Sequence, residues 1–196
     1  MLTSAMQELA LGHLVSGTAR MTGAILILMQ MGLGVALGTR LIDAFTSPIP
    51  VQAPAEMAGW TTLVAIVFVA FSVTILYRGR LRDFLTVLPM SFVAFFASRY
   101  GQIWLGPEVG AALGALLLGI GANSISRWLD QPTAIAILPA LLLLVPGSLG
   151  FQSLQSLMAD DVTTGIAAGF ATFMIAMAIV SGLLVANLLV VSRRLL

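Results

Sequence analysis

Apolar residues fill long runs of this chain, and polar positions fall mainly between the runs. Six runs are long enough, or nearly so, to cross a bilayer as a helix of about 20 residues. They extend over Leu14–Ile42, Gly59–Tyr77, Phe84–Ser98, Pro107–Ser126, Gln131–Met158 and Val162–Ser192. The pattern predicts an all-α fold, a polytopic membrane bundle of about six transmembrane helices.

Two of these runs contain helix-breaking residues. The third is short and carries Pro89, so we expect a helix that is kinked or little tilted, closed by Arg99-Tyr100-Gly101-Gln102. The fifth is interrupted in mid-span at Pro146-Gly147-Ser148, which predicts an unwound point between two half-helices. Two interpretations of this break stay open. It is either a kinked packing helix without a ligand, or a polar site of the kind that broken helices form in secondary transporters.

Pairs of glycines at G-x-x-x-G spacing predict close approach of helix backbones, because lipid supplies no hydrophobic drive for helix association. Such pairs serve either packing within the chain or an interface with a partner subunit. The pairs are Gly34 with Gly38, Gly110 with Gly114, and Gly165 with Gly169.

Composition agrees with a membrane protein. Hydrophobic residues make up 59% of the 196 positions and charged residues 9%, whereas soluble domains carry about 25% charged residues. The net charge of +1 gives no indication of nucleic-acid binding. The first residues, MLTSAMQELALGHL, lack the features of a signal peptide.

Arginine placement predicts the orientation, because positive charges concentrate in cytoplasmic loops. With both termini in the cytoplasm, only Arg40 and Arg99 lie on the outer side. The inner side then holds Arg20, Arg78, Arg80, Arg82, Arg127, Arg193 and Arg194. We therefore expect a multi-pass protein of the plasma (inner) membrane, in contact with the lipid bilayer and with both termini cytoplasmic.

Enzymatic patterns are absent from the sequence. Cysteine does not occur, His13 is the single histidine, and no H-E-x-x-H, G-x-S-x-G or Walker motif is present. We expect neither an enzyme nor a cofactor or metal site.

The polar residues that remain define a candidate substrate site. Gly147 or Ser148 would begin a half-helix whose free N–H groups and partial positive charge suit a carboxylate. Arg99, at the outer end of the third run, either snorkels to the interface or binds an anion. Asn123 either packs and caps its helix or faces the path, and Gln152 follows the break. The candidate residues are Pro146, Gly147, Ser148, Asn123, Arg99 and Gln152.

One stretch resembles the carboxy-terminal domain of the threonine/serine exporter family. It comprises the Gly-rich segment Gly114–Gly121, the connection Ser126-Arg127-Trp128, and an apolar helix interrupted at Val145-Pro146-Gly147-Ser148. The pair Ser98-Arg99 is similar as well. The resemblance extends over roughly 59–194, and the first run looks like the last helix of that family's amino-terminal domain.

The resemblance implies three regions: an N-terminal segment with the first helix over 1–45, a linker over 46–58, and the exporter-like membrane domain over 59–196. It also implies a second subunit that supplies the amino-terminal domain, or a homo-oligomer in its place. The expected function is export of small carboxylate metabolites, threonine, serine or dicarboxylates, driven by the proton gradient. Under this hypothesis Gly147→Leu abolishes export while membrane insertion continues. The alternative is a membrane scaffold or assembly subunit that transports nothing.

Overall fold

The computed structural model of the chain describes residues 2–45, 59–129, 134–145, 147–158 and 161–190. These ranges form eight α-helices and no strand. The helices are α1 (Leu2–Ala10), α2 (Leu14–Phe45), α3 (Gly59–Leu76), α4 (Leu81–Leu105), α5 (Pro107–Leu129), α6 (Ala134–Leu144), α7 (Gly147–Met158) and α8 (Val162–Leu189).

Six spans in this structure are long and apolar enough to cross a membrane, which confirms the predicted helical membrane fold. Five of them are α2, α3, α4, α5 and α8; the sixth, Ile137–Leu157, combines α6 and α7. Of the predicted linker 46–58, every residue lies outside the described ranges, as do Ser192 and the two terminal arginines.

Helix α5 lies at the centre of the bundle and packs against α4 and α8, while α6 packs against α4 and α7 against α8. Half of the residues in the most apolar stretch of α5 are buried, whereas only 6% are buried in the most apolar stretch of α2. Helix α2 packs mainly against α1 and α7. Most of its surface therefore faces outward, toward lipid or another protein.

Helix α4 is longer than the sequence predicted. It runs from Leu81 to Leu105, through the Arg99-Tyr100-Gly101-Gln102 stretch that was expected to close it. It continues because Gly101 packs backbone to backbone against Gly110 of α5, where a β-carbon on Gly101 would lie 2.8 Å from the Gly110 Cα. The helix ends at Gly106, which has a left-handed φ of 90° and donates its N–H to the Gln102 carbonyl.

The ends of two membrane helices are capped by carboxylates. Asp83 accepts the Arg80 N–H at 2.7 Å ahead of α4, and Asp161 accepts the Thr164 N–H at 3.2 Å at the start of α8. Hydrogen bonds from Thr164 and Thr163 hold the pKa of the Asp161 carboxyl below its usual value, because they favour the charged form. Such caps satisfy N–H groups that a helix leaves free in its first turn.

The three glycine pairs differ in whether another helix packs against them. A β-carbon on Gly114 would lie 2.8 Å from the Ala94 carbonyl oxygen, and one on Gly169 would lie 2.9 Å from the Ser153 Oγ. Two pairs thus serve packing within the chain, α5 on α4 and α8 on α7. A β-carbon on Gly34 or Gly38 would meet nothing within 4 Å, so that pair has no neighbour among the described residues.

We expect Gly110→Ala to destabilise the protein and Gly38→Ala to leave its stability unchanged or slightly raised. The added methyl at Gly110 would collide with the backbone N of Gln102 and lie 2.7 Å from the Ser98 carbonyl oxygen. Such overpacking costs about 1–3 kcal/mol, whereas alanine is the better helix former where space is open. Thermal unfolding in detergent measures both variants, and equal midpoints would contradict the packing assignment.

Candidate functional site

The predicted break is present in the structure and divides one span into two half-helices. Helix α6 ends at Leu144 and α7 begins at Gly147, and Pro146 lies outside the described residues. The Val145 N–H donates to the Leu141 carbonyl at 3.1 Å, and the Gly147 N–H donates to the Val145 carbonyl at 2.8 Å. The first N–H groups of α7 and the last carbonyls of α6 have no intrahelical partners, since helix termini always leave such groups. Opposite partial charges therefore meet in mid-span.

A cavity of about 250 Å³ lies beside this break, between α4, α5, α6, α7 and α8. Its polar lining comes from Ser98, Arg99, Gln102 and Ser148, and its apolar walls include Phe95, Leu144, Leu149 and Ile175. The volume is roughly eight times the 30 Å³ that a water molecule occupies in the liquid. It lies just below the range of about 300–1,000 Å³ typical of drug-sized ligands. The space therefore suits a metabolite of a few heavy atoms.

Arg99 supplies the positive charge of the cavity. It lies inside α4, six residues before Leu105, or about 9 Å from the helix end at the rise of an α-helix. Its side chain is exposed, and the structure pairs it with no carboxylate within the described ranges. A guanidinium at membrane depth is retained only where it snorkels, pairs or binds an anion. The cavity next to Arg99 is the place where an anion would meet it.

Ser98 and Gln102 form a polar pair that sequence analysis did not include in the site. The Gln102 Nε2 donates to the Ser98 Oγ at 3.0 Å, and both residues line the cavity. Ser98 is buried and Gln102 exposed. Their spacing of four residues on one helix face is a signal that could have found the pair, had α4 been predicted to extend beyond Ser98.

The candidate residues around the break differ in position. Ser148 lines the cavity, whereas Gln152, one turn further along α7, is exposed and is not part of the lining. Gly147 begins α7, and a β-carbon there would meet nothing within 4 Å. The structure thus brings Arg99 and Ser148 together, places Gly147 beside them, and leaves Gln152 outside the cavity.

Asn123 lies elsewhere in the bundle, near the C-terminal ends of α5 and α8. It is fully buried, and its Nδ2 donates to the Asn187 Oδ1 at 3.0 Å and to the Val190 carbonyl at 2.7 Å. These bonds match the packing interpretation of this residue more closely than a ligand role in the cavity.

Among the residues described, the structure contains no cluster of three His, Cys, Asp or Glu side chains that could hold a metal ion. The chemistry available in the cavity is a cation, amide and hydroxyl groups, and the two helix ends. This set of groups can bind a small anion and orient it through hydrogen bonds.

A helical membrane bundle with an interrupted span and a polar cavity beside the interruption is an architecture found in the class of polytopic transport proteins. Comparison with known families agrees with this class. Residues 60–189 match the family described as "Threonine/Serine exporter, ThrE", and residues 1–42 match "Putative threonine/serine exporter". The chain belongs to the threonine/serine exporter family, a family of membrane exporters, and the resemblance noted in the sequence is confirmed.

The curated relatives it matches are fungal membrane proteins. "Pheromone-regulated membrane protein 10" of Pichia sorbitophila is 27% identical over 171 residues, which cover 80% of this chain and 17% of that protein. The protein of the same name in Saccharomyces cerevisiae is 27% identical over 157 residues, which cover 74% of this chain and 39% of that protein. The chain thus spans well under half the length of these relatives. No solved structure matches it.

Proposed function

We propose that this chain is one half of a secondary transporter that exports small carboxylate metabolites, threonine, serine or dicarboxylates, and that the cavity beside the α6–α7 break binds them. The observation that carries the proposal is the position of Arg99. Its guanidinium, which makes no ion pair with any described residue, and the N-terminus of α7 line one cavity between the helices of a membrane bundle.

A carboxylate gains from this arrangement in two ways. A charge-assisted hydrogen bond from a guanidinium is about twice as strong as a neutral one. The N-terminus of α7 adds free N–H groups and a partial positive charge at Ser148 and Leu149. The carbonyls at the end of α6, near Leu144, would accept hydrogen bonds from the ammonium group of an amino acid. The apolar walls lower the local dielectric and strengthen both attractions.

The proposal includes a partner and a membrane orientation. Helix α2 is nearly all exposed, with open space beside Gly34 and Gly38, so it offers a surface for a second subunit or a second copy of the chain. In the proposed orientation both termini lie in the cytoplasm and the cavity opens outward.

The described lining of the cavity contains neither carboxylate nor histidine, the side chains that usually carry protons within a membrane. If the proton gradient drives export, we place the proton-carrying group in the partner.

An efflux assay tests the function. Cells with the chain and its partner, with either alone, or with neither are loaded with labelled threonine or a labelled dicarboxylate, and the rate of release is measured. We expect fast release only when both proteins are present, and slower release when the pH gradient is collapsed. If the partner's abundance falls without the chain but no substrate-dependent release occurs in any strain, the scaffold alternative is correct.

A further inference from the structure

Helix α1 covers the end of the bundle opposite the cavity. Its buried residues are Thr3, Ala5, Met6 and Ala10, and Met6 belongs to the same contiguous core as Leu118 and Ile179. Besides α2, it packs against α8 and α6. The cavity, in contrast, lies at the other ends of α4 and α5, near Gln102 and Pro107. A short amphipathic helix therefore closes one side of the bundle while the polar cavity lies toward the other.

An amide pair holds α1 in this position. The Asn187 Nδ2 donates to the Ala10 carbonyl at 3.3 Å, and the Asn187 Oδ1 accepts from the Asn123 Nδ2 at 3.0 Å. The Ala10 carbonyl belongs to the last turn of α1, where carbonyls lack an intrahelical donor. Asn123 on α5 and Asn187 on α8 thus form a clasp on the end of α1.

The docked interface leaves polar atoms unpaired. Within the described part of the chain, the buried Thr3 Oγ1, Glu8 Oε2 and Asn123 Oδ1 have no hydrogen-bond partner. The small cavity between Gln7, Asn123 and Leu183 measures about 10 Å³, at the lower limit for a single water molecule. A buried oxygen without a partner costs free energy that hydration after undocking would recover. These costs offset part of the apolar gain and reduce the stability of the docked state.

A tight turn connects α1 to α2: the His13 N–H donates to the Glu8 carbonyl at 2.9 Å, and a β-carbon on Gly17 of α2 would lie 2.8 Å from the Leu9 Cγ. Gly12 joins the two helices with a left-handed φ of 82°, and a β-carbon there would meet nothing within 4 Å. Within the described ranges, α1 forms one ion pair, between Glu8 and Arg20 at 2.9 Å, and the arginine is more than half exposed. A pivot of α1 at Gly12 would break the packing of Leu9 on Gly17 and leave the two helices joined through the turn.

We infer that α1 is a gate at the end of the bundle opposite the cavity, and that the Asn123–Asn187 pair is its clasp. The inference rests on the proposed transport function, because a transport cavity must open to the two ends of the bundle in turn, so that a ligand enters at one end and leaves at the other. In this structure α1 is docked against α2, α6 and α8. Transport requires α1 to undock, which separates Asn187 from the Ala10 carbonyl and exposes Met6.

Thiol labelling tests the clasp without any transport measurement. The native chain has no cysteine, so Met6→Cys gives a single reporter beneath α1, and His13→Cys in the exposed turn is the matched control. A membrane-impermeant methanethiosulfonate reagent is applied to inverted membrane vesicles. We expect slow labelling at position 6 and fast labelling at position 13. Adding Asn187→Ala should speed labelling at position 6 by about threefold to tenfold, the range for membrane hydrogen bonds, and leave position 13 unchanged.

A cross-link tests the gate itself. Gln7 of α1 and Leu183 of α8 line the same small cavity, so Gln7→Cys with Leu183→Cys permits a reversible bridge by a bifunctional thiol reagent. We expect the bridged protein to lose at least nine-tenths of its threonine efflux, and reduction to restore it. Each single cysteine variant, treated identically, should keep its efflux.

The outcomes separate the two claims. Normal efflux from the bridged protein, or labelling at position 6 that Asn187→Ala does not change, overturns the gate. If no variant releases threonine, even unbridged, the proposed function fails, and the labelling result alone decides whether the clasp holds α1.

Discussion

Arg99→Gln is expected to reduce carboxylate efflux about thirtyfold or more while the protein still inserts and folds. Each hydrogen bond from the guanidinium to a carboxylate contributes about 1.5–3 kcal/mol, and each 1.4 kcal/mol is about tenfold in affinity. Folding is preserved because the side chain is exposed and makes no ion pair among the described residues. Initial rates of efflux, normalised to the amount of protein in the membrane, measure the effect.

Two further substitutions make the Arg99 result specific. Arg40→Gln removes another exposed arginine, which belongs to α2 and does not line the cavity, and should leave efflux near its original rate. Arg99→Lys keeps the charge but loses the two-pronged hydrogen-bond geometry, so its rate should fall between the others. If all three variants export equally, Arg99 only snorkels to the interface, and the proposal that it binds the substrate carboxylate is wrong.

Gly147→Leu is the second change with a large expected effect, namely loss of nearly all efflux. The position begins α7, directly before Ser148 in the cavity wall. A β-carbon there would meet nothing within 4 Å. The leucine side chain therefore fits at this position, and we expect the variant to fold. Its terminal methyl groups would occupy the space before the helix N-terminus, where a carboxylate would approach.

Gly147→Ala is the matched control, because its single methyl adds little volume in that open space. It should keep most of the efflux, and both variants should reach the membrane in equal amounts on an immunoblot. Equal efflux from the leucine and alanine variants would show that the N-terminus of α7 does not contact the substrate.

The membrane spans and the break were predictable because both depend on local sequence. Long apolar runs have to be helical in hydrocarbon, and Pro146-Gly147 cannot continue a regular helix. The extent of α4 was not predictable, since it depends on a contact between Gly101 and Gly110 on different helices. Helix α1 was missed because nine residues with polar positions among them give only a short amphipathic pattern.

Which candidate residues share a site depends on which helices pack together, and apolar sequence carries little information on that. Arg99 and Ser148 meet because α4 packs against α6 next to the break. Asn123 lies on the central helix α5 but near its far end, bonded to Asn187. The sequence identified these polar groups as unusual in a membrane protein. Helix packing then places Arg99 and Ser148 at the cavity and Asn123 next to Asn187.

The length of α2 determines where α1 lies relative to the lipid. Arg20 and Arg40 are twenty residues apart, about 30 Å along the helix, which equals the thickness of the hydrocarbon layer. If each guanidinium reaches the phosphates of one leaflet, the turns before Arg20 emerge among the headgroups, and α1 emerges with them. There the Glu8 carboxylate competes with anionic lipids for Arg20. Lipid composition and ionic strength then act directly on the attachment of the first helix.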